Sequence, residues 1–203
     1  MTSNGAINLE TTIIFSWIKA GSLVLDLGCG DGELLYKLMR EKKCRVQGIE
    51  IDEKSIYNCV AKGVNALQGD IDSGLADYGD KSFDYVILNE SFQQVKKPDT
   101  VLQEAFRIGK EVIVSFPNFA YFPARLQIFF RGKTPVTPSL PYEWHDTPNL
   151  HFLSVRDFVE FCRARDIKIL ETAFRGSTRR IKFFPNLLAS TGVFRLSNVN
   201  KGG

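Results

Sequence analysis

Apolar residues recur along the chain in two alternating rhythms. Short, nearly continuous apolar runs give way to stretches in which apolar residues return every third or fourth position, the pattern of strands followed by amphipathic helices. Val24 to Leu27, Val46 to Asp52, Val64 to Gln68, Ser82 to Asn89, Val112 to Phe116, Lys168 to Thr172 and Gly192 to Leu196 read as seven strands, the last of them antiparallel. Leu34, Leu35, Leu38 and Met39 predict a helix after the first strand, and Val101, Leu102, Ala105 and Phe106 another after the fourth. A leading helix from Asn8 presents Ile13, Ile14, Trp17 and Ile18 before Gly21, and a late one buries Phe158, Phe161 and Cys162. The punctuation agrees: Asp52 caps a helix that stops by Gly63, Pro98 and Asp99 open one that Gly109 ends, and Ser154 with Asp157 forms a capping box. Runs such as Tyr85-Val86-Ile87-Leu88 suit strands covered on both faces, so the expected class is α/β with a mostly parallel sheet and helices on both sides.

The first strand passes through Asp26 into Leu27-Gly28-Cys29-Gly30-Asp31-Gly32 and then a helix. Glycines at every second position let the backbone turn tightly and approach a ligand, and a helix starting near Gly32 aims free N–H groups at the same point. A dinucleotide loop requires G-x-G-x-x-G, but position 33 is Glu33, and a diphosphate would meet Asp26 and Asp31. Spacing and charge both oppose NAD. A better guest offers an adenosine to the crevice, a cationic amino group to the acids and a small carboxylate to the helix end. S-adenosylmethionine carries all three. Glu50 lies 24 residues beyond Asp26 (50 − 26) at the tip of the second strand, placed to accept both ribose hydroxyls. Asp70, just past the third strand, is placed to accept the adenine amino group or simply to form a turn. Asn89, with Glu90 and Gln93, follows the fourth strand at the mouth of the site.

At 203 residues, 44% apolar and 24% charged, the chain reads as one soluble domain spanning 1–203. Six of its eight prolines fall between Pro117 and Phe152, which marks residues 117–152 as an aromatic and proline-rich insertion lying over the sheet. Within it, Phe119, Tyr121, Phe122, Phe129 and Phe130 are expected in the core or on a short helix packing down. Tyr142 to Asp146 is a candidate lid or partner-binding surface, or a solvated loop. Arg175, Arg179, Arg180 and Lys182 are expected on a solvated face, with an anionic partner as the sharper reading. A net charge of +3 is too small and too scattered for nucleic acid. Four cysteines without C-x-x-C pairing and two histidines argue against a metal site and for reduced thiols in a cytoplasmic protein. The most apolar stretch, Val112 to Phe130, is broken by Pro117, Asn118, Pro123 and Arg125, so no membrane span is expected. Residues 1–5 are expected to fray.

Val24 to Gly32, Glu50, Asp70 and the strand Ser82 to Asn89 together resemble the class I S-adenosylmethionine-dependent methyltransferases. The resemblance implies a Rossmann-like, seven-stranded sheet in the order 3-2-1-4-5-7-6. A closer resemblance, to the MetW family, rests on Asp26 to Leu34, Ser115-Phe116-Pro117-Asn118-Phe119, Leu140-Pro141-Tyr142-Glu143-Trp144, Asp146-Thr147-Pro148-Asn149 and Arg156-Asp157-Phe158, and runs from about Asn8 to Leu196. It implies S-adenosylmethionine as cofactor, with S-adenosylhomocysteine as product, held by Asp26, Gly28, Cys29, Gly30, Glu50, Ile51, Asp70, Ile71 and Asn89. It also implies a place in methionine biosynthesis, either as a methyltransferase acting on a small molecule or as a non-catalytic partner or regulator of a homoserine O-acyltransferase. Asn89 and Tyr142 are the candidates to face an acceptor. The histidine that follows strand four in many small-molecule methyltransferases is replaced by Gln93-Gln94-Val95, and no N-P-P-Y set follows Asn89. Methyl transfer from a sulfonium needs chiefly a near-attack geometry, so a dedicated base is not required.

Overall fold

The alternating rhythms resolve into a seven-stranded sheet in a computed structural model that describes residues 9–198 apart from Gly74 and Thr178. The expected helix start at Asn8 and the expected fraying of residues 1–5 lie outside the described residues. Strands β1 (Leu23–Leu27), β2 (Arg45–Glu50), β3 (Ala66–Gln68), β4 (Phe83–Asn89), β5 (Gly109–Pro117), β6 (Ile167–Arg175) and β7 (Thr191–Asn198) lie in the order β3-β2-β1-β4-β5-β7-β6. All neighbouring pairs are parallel except those made by β7, which runs antiparallel to both β5 and β6. Helices α1 (Leu9–Trp17), α2 (Glu33–Lys42), α3 (Glu53–Ala61), α4 (Pro98–Ile108), α5 (Phe122–Arg131), α6 (Val155–Ala164) and α7 (Pro185–Leu188) fill the connections.

Successive strand residues point to opposite faces, and both faces are dry. Leu25, Leu27, Val86, Leu88, Val114 and Phe116 pack with Leu102 and Phe106 of α4 and Phe158 of α6. Val24, Tyr85, Ile87 and Ile113 pack with Ile13 and Ile14 of α1 and Leu34, Leu35 and Leu38 of α2. Trp17 joins this second core as a half-buried packing residue. Asp52 caps α3 by accepting from the Ser55 N–H, and the Ser154–Asp157 capping box opens α6.

Two expectations change. The aromatics of α5 do not pack down: only Ala124 is buried, while Phe129 and Phe130 are 80% and 74% exposed. Arg175 is not on a solvated face, because its guanidinium lies 2.5 Å from Glu10, a carboxylate with no solvent exposure. Lys42, in the last turn of α2, also reaches the carbonyls of Phe15 and Ile18 near the end of α1. Among the described residues no helix is long and apolar enough to cross a membrane.

Candidate functional site

The strand order reverses at β1, which has β2 on one side and β4 on the other, and open α/β sheets bind ligands at such a point. There the carboxyl ends of the three strands enclose a cavity of about 460 Å³. Gly28, Glu50, Ile51, Asp70, Ile71 and Asn89 all line it. Asp26, in β1, and Cys29 and Gly30, in the glycine loop itself, do not. Tyr142 lines a neighbouring cavity.

Backbone bonds set the loop. The N–H groups of Gly28 and Cys29 both donate to the Ile49 carbonyl, at 2.8 and 3.1 Å, and the Ser91 hydroxyl donates to the Leu27 carbonyl at 2.6 Å. Gly28 holds φ of 81°, and a Cβ there would stand 2.8 Å from that of Ser91. Gly28→Ala therefore combines left-handed strain with a clash. We expect it to cost about 1–3 kcal/mol in urea unfolding, and an unchanged midpoint would show that the loop has room to spare.

The acids divide by environment. Asp26 is 2% exposed and its Oδ1 has no hydrogen-bond partner among the described residues. Burial first, then the charge of Glu50, pushes its carboxyl up to about 7. Glu50 is tied to the loop: Oε2 accepts from the Gly30 N–H at 2.7 Å, and Oε1 from the N–H groups of Ile51 and Asp52 at 2.8 and 3.0 Å. A carboxylate oxygen accepts about two hydrogen bonds, so Glu50 keeps one open position on Oε2, and a ribose held by both hydroxyls must displace a backbone N–H. Asp70 serves both sequence readings, since it lines the cavity while its Oδ1 accepts from the Asp72 N–H at 2.9 Å. Asp31 turns outward, because Lys62 pairs with it at 3.5 Å and with Glu33 at 2.6 Å. The acids on the cavity wall that a diphosphate would meet are therefore Glu50 and Asp70, not Asp31. Cys29 faces away, with its Sγ 4.0 Å from that of Cys59, and burial raises both thiols. Asn89 accepts from the Ser115 hydroxyl at 2.7 Å.

A second cavity, of about 280 Å³, shares Glu90 and Gln94 with the first and adds Gln93, Tyr142, Asn149 and Arg175. Glu90 sits at φ of 56° and donates its N–H to the Ser115 carbonyl at 3.1 Å, while its own carbonyl accepts from the side chains of Gln93 and Gln94. The 117–152 segment is tied over this end of the sheet by the N–H groups of Leu150 and His151, both donating to the Gln93 carbonyl at 3.0 Å. Burial, then the charge of Glu10 and a hydrogen bond to it, pushes the Glu90 carboxyl up to about 8, and Arg175 offsets part of this. Neither Glu10 nor Arg175 figured in the sequence reading of the site. The signal was there: Glu10, Ile13, Ile14 and Trp17 share one face of α1 at helical spacing, which is the buried face.

The family model described as "Methionine biosynthesis protein MetW" matches residues 9–196. The chain belongs to the MetW family. This MetW chain is 32% identical over 212 residues to the "Bifunctional methionine biosynthesis protein MetXA/MetW" of Rhodopirellula baltica, an alignment covering 98% of the chain and 34% of that protein. It is also 32% identical over 102 residues to the demethylmenaquinone methyltransferase of Lactobacillus johnsonii, covering 46% of the chain and 41% of that enzyme. The MetW chain thus spans well under half the length of either relative. In fold it is similar to a SAM-dependent methyltransferase from Archaeoglobus fulgidus, with a TM-score of 0.69 at 15% identity over 96% of this chain and 94% of that one. A second likeness is to the complex between the Haloferax volcanii Trm112 methyltransferase activator and the putative methyltransferase, with a TM-score of 0.68 at 18% identity over 93% and 88%.

Proposed function

We propose that this MetW-family chain is a single-domain, cytoplasmic S-adenosylmethionine-binding protein of methionine biosynthesis that transfers the methyl group to a small molecule. The observation that carries the reading is the buried, unpartnered Asp26 Oδ1 behind a glycine loop, with Glu50 and Asp70 on the cavity wall in front. Those residues fit the cofactor. Asp26, Gly28 and Gly30 would hold its methionine end, with Cys29 supporting the loop. Glu50, flanked by Ile51, would take the ribose, and Asp70 with Ile71 the adenine. When bound, the cofactor supplies an electrophilic methyl group on a sulfonium. The chain's contribution is orientation and exclusion of water, with Asn89 and Tyr142 facing the acceptor side.

Thermal-shift titration tests this. At 100 times its dissociation constant, a ligand of the folded state adds about 2.7 kcal/mol, on the order of 5–10 °C for a chain of this size. S-adenosylmethionine and S-adenosylhomocysteine are expected to give such a shift and NAD none. Glu50→Ala is expected to weaken it. A shift with NAD alone would end the proposal.

A second reading has its own support. In the Rhodopirellula baltica relative the name joins MetXA to MetW, so the chain here would dock on a separate homoserine O-acyltransferase and tune it. The 117–152 segment, in which Phe129, Phe130 and Trp144 are each at least 74% exposed, would be the contact surface for such a partner. Co-purification and acyltransferase assays with and without S-adenosylmethionine decide it, and indifference of the acyltransferase in both would retire it.

A further inference from the structure

We propose that the second cavity binds a small molecule through a primary ammonium group, gripped between Glu90 and Gln93. The proposal rests on the S-adenosyl reading only for what lies across Glu90; the cavity's own walls are independent of it.

Gln93 supplies the first argument. Its Nε2 donates to the Glu90 carbonyl at 2.7 Å, and a carbonyl only accepts, so the amide orientation is fixed. That leaves Oε1, on a residue 3% exposed that lines the cavity, with no partner among the described residues. A buried acceptor left unsatisfied costs about 1–3 kcal/mol, a deficit that an incoming N–H removes. The opposite amide orientation would set oxygen against oxygen.

Charge supplies the second. Glu10, on α1, is fully buried and paired with Arg175 at the end of β6, and those two charges cancel. Glu90 shares a hydrogen bond with Glu10 and is the group left to change charge. Among the described residues no other charged side chain lines this cavity, while the first cavity, across Glu90, carries Glu50, Asp70, Asp72 and Lys96. A carboxylate ligand would find Arg175 committed and two acids nearby. An alcohol brings one donor. An ammonium brings three donors and the charge that complements ionised Glu90. Pro138, Pro141 and Tyr142 give its alkyl part apolar walls. Burial and Glu10 keep the Glu90 proton on up to about pH 8, so a bound ammonium expels that proton and gains affinity as pH rises.

The test titrates n-butylamine, n-butanol and butyrate into the protein from pH 6 to pH 9, with and without S-adenosylhomocysteine, by calorimetry and ligand-observed NMR. Butylamine affinity is expected to rise up to about tenfold per pH unit towards pH 8 and then level off, with butanol at least about tenfold weaker and butyrate not binding. Glu90→Gln should flatten the pH profile, and Gln93→Met should weaken butylamine at every pH; circular dichroism checks that both fold. Butyrate binding as tightly as butylamine, or a flat profile in the unsubstituted protein, overturns the proposal whether or not the variants fold. Binding of S-adenosylhomocysteine without butylamine overturns the amine site alone. Butylamine binding with the expected profile but no S-adenosylhomocysteine binding supports the amine site and overturns the donor reading.

Discussion

Asp26→Asn is expected to make the ligand-free protein more stable at pH 8, the reverse of what losing a site acid would suggest. The carboxyl is fully buried, and its pKa rises from 3.8 to about 7. Between those values the folded chain keeps a proton that the unfolded chain has released, so stability falls as pH rises through the window. Each pKa unit represents about 1.36 kcal/mol, and the whole shift amounts to about 4 kcal/mol above pH 7. An amide does not titrate and escapes that cost. Thermal unfolding at pH 4 and pH 8 reads the effect: the two proteins should be nearly equal at pH 4, and the variant ahead at pH 8 by a melting difference on the order of 10 °C. Equal stability at pH 8 would show that the carboxylate is better solvated than its burial implies. If Asp26 holds the methionine end of S-adenosylmethionine as proposed, the same substitution should also shrink the thermal shift which that ligand gives, because a neutral amide cannot pair with an ammonium group.

The sheet was legible in the sequence because strands covered on both faces must be apolar almost throughout, and Val24 to Leu27, Tyr85 to Leu88 and Val112 to Phe116 are. Caps were legible for an equally local reason: Asp52 and Ser154 satisfy N–H groups within their own helices. Glu50, Asp70 and Asn89 were legible because strand tips converge on one crevice in a parallel sheet. Other features depend on partners far away in the chain. Asp31 looks like a ligand acid until Lys62, 31 residues on, draws it outward. Phe129 and Phe130 look like core until the α5 backbone places them in solvent, for apolar character states a preference and does not guarantee a partner. Strand β6 runs to Arg175, three residues past Thr172, because β7 continues to pair with it as far as Thr191. No periodicity announces that pairing.

Arg175→Met should produce the largest loss of stability. Glu10 is wholly buried, Arg175 lies 2.5 Å from it, and 165 residues separate them. Methionine keeps much of the apolar stem of arginine, so the change chiefly removes charge and donors. Breaking a buried pair from one side costs about 3–5 kcal/mol, since the remaining carboxylate loses the Arg175 charge in a place water does not reach. Losing Arg175 also removes the one influence that lowers the Glu90 pKa, so its proton is retained to still higher pH. The sign follows: Glu90 starts from 4.5 when unfolded and lies near 8 when folded, so stability declines as pH rises across that interval, and the variant extends the decline above pH 8. Urea unfolding at pH 5 and pH 9 should show a deficit at both, larger at pH 9. Glu10→Gln combined with Arg175→Met should recover most of the loss, because two neutral groups replace an orphaned charge. If the double variant is as weak as the single one, the deficit comes from packing rather than charge, and Glu10 is not the group that holds Arg175 between α1 and β6.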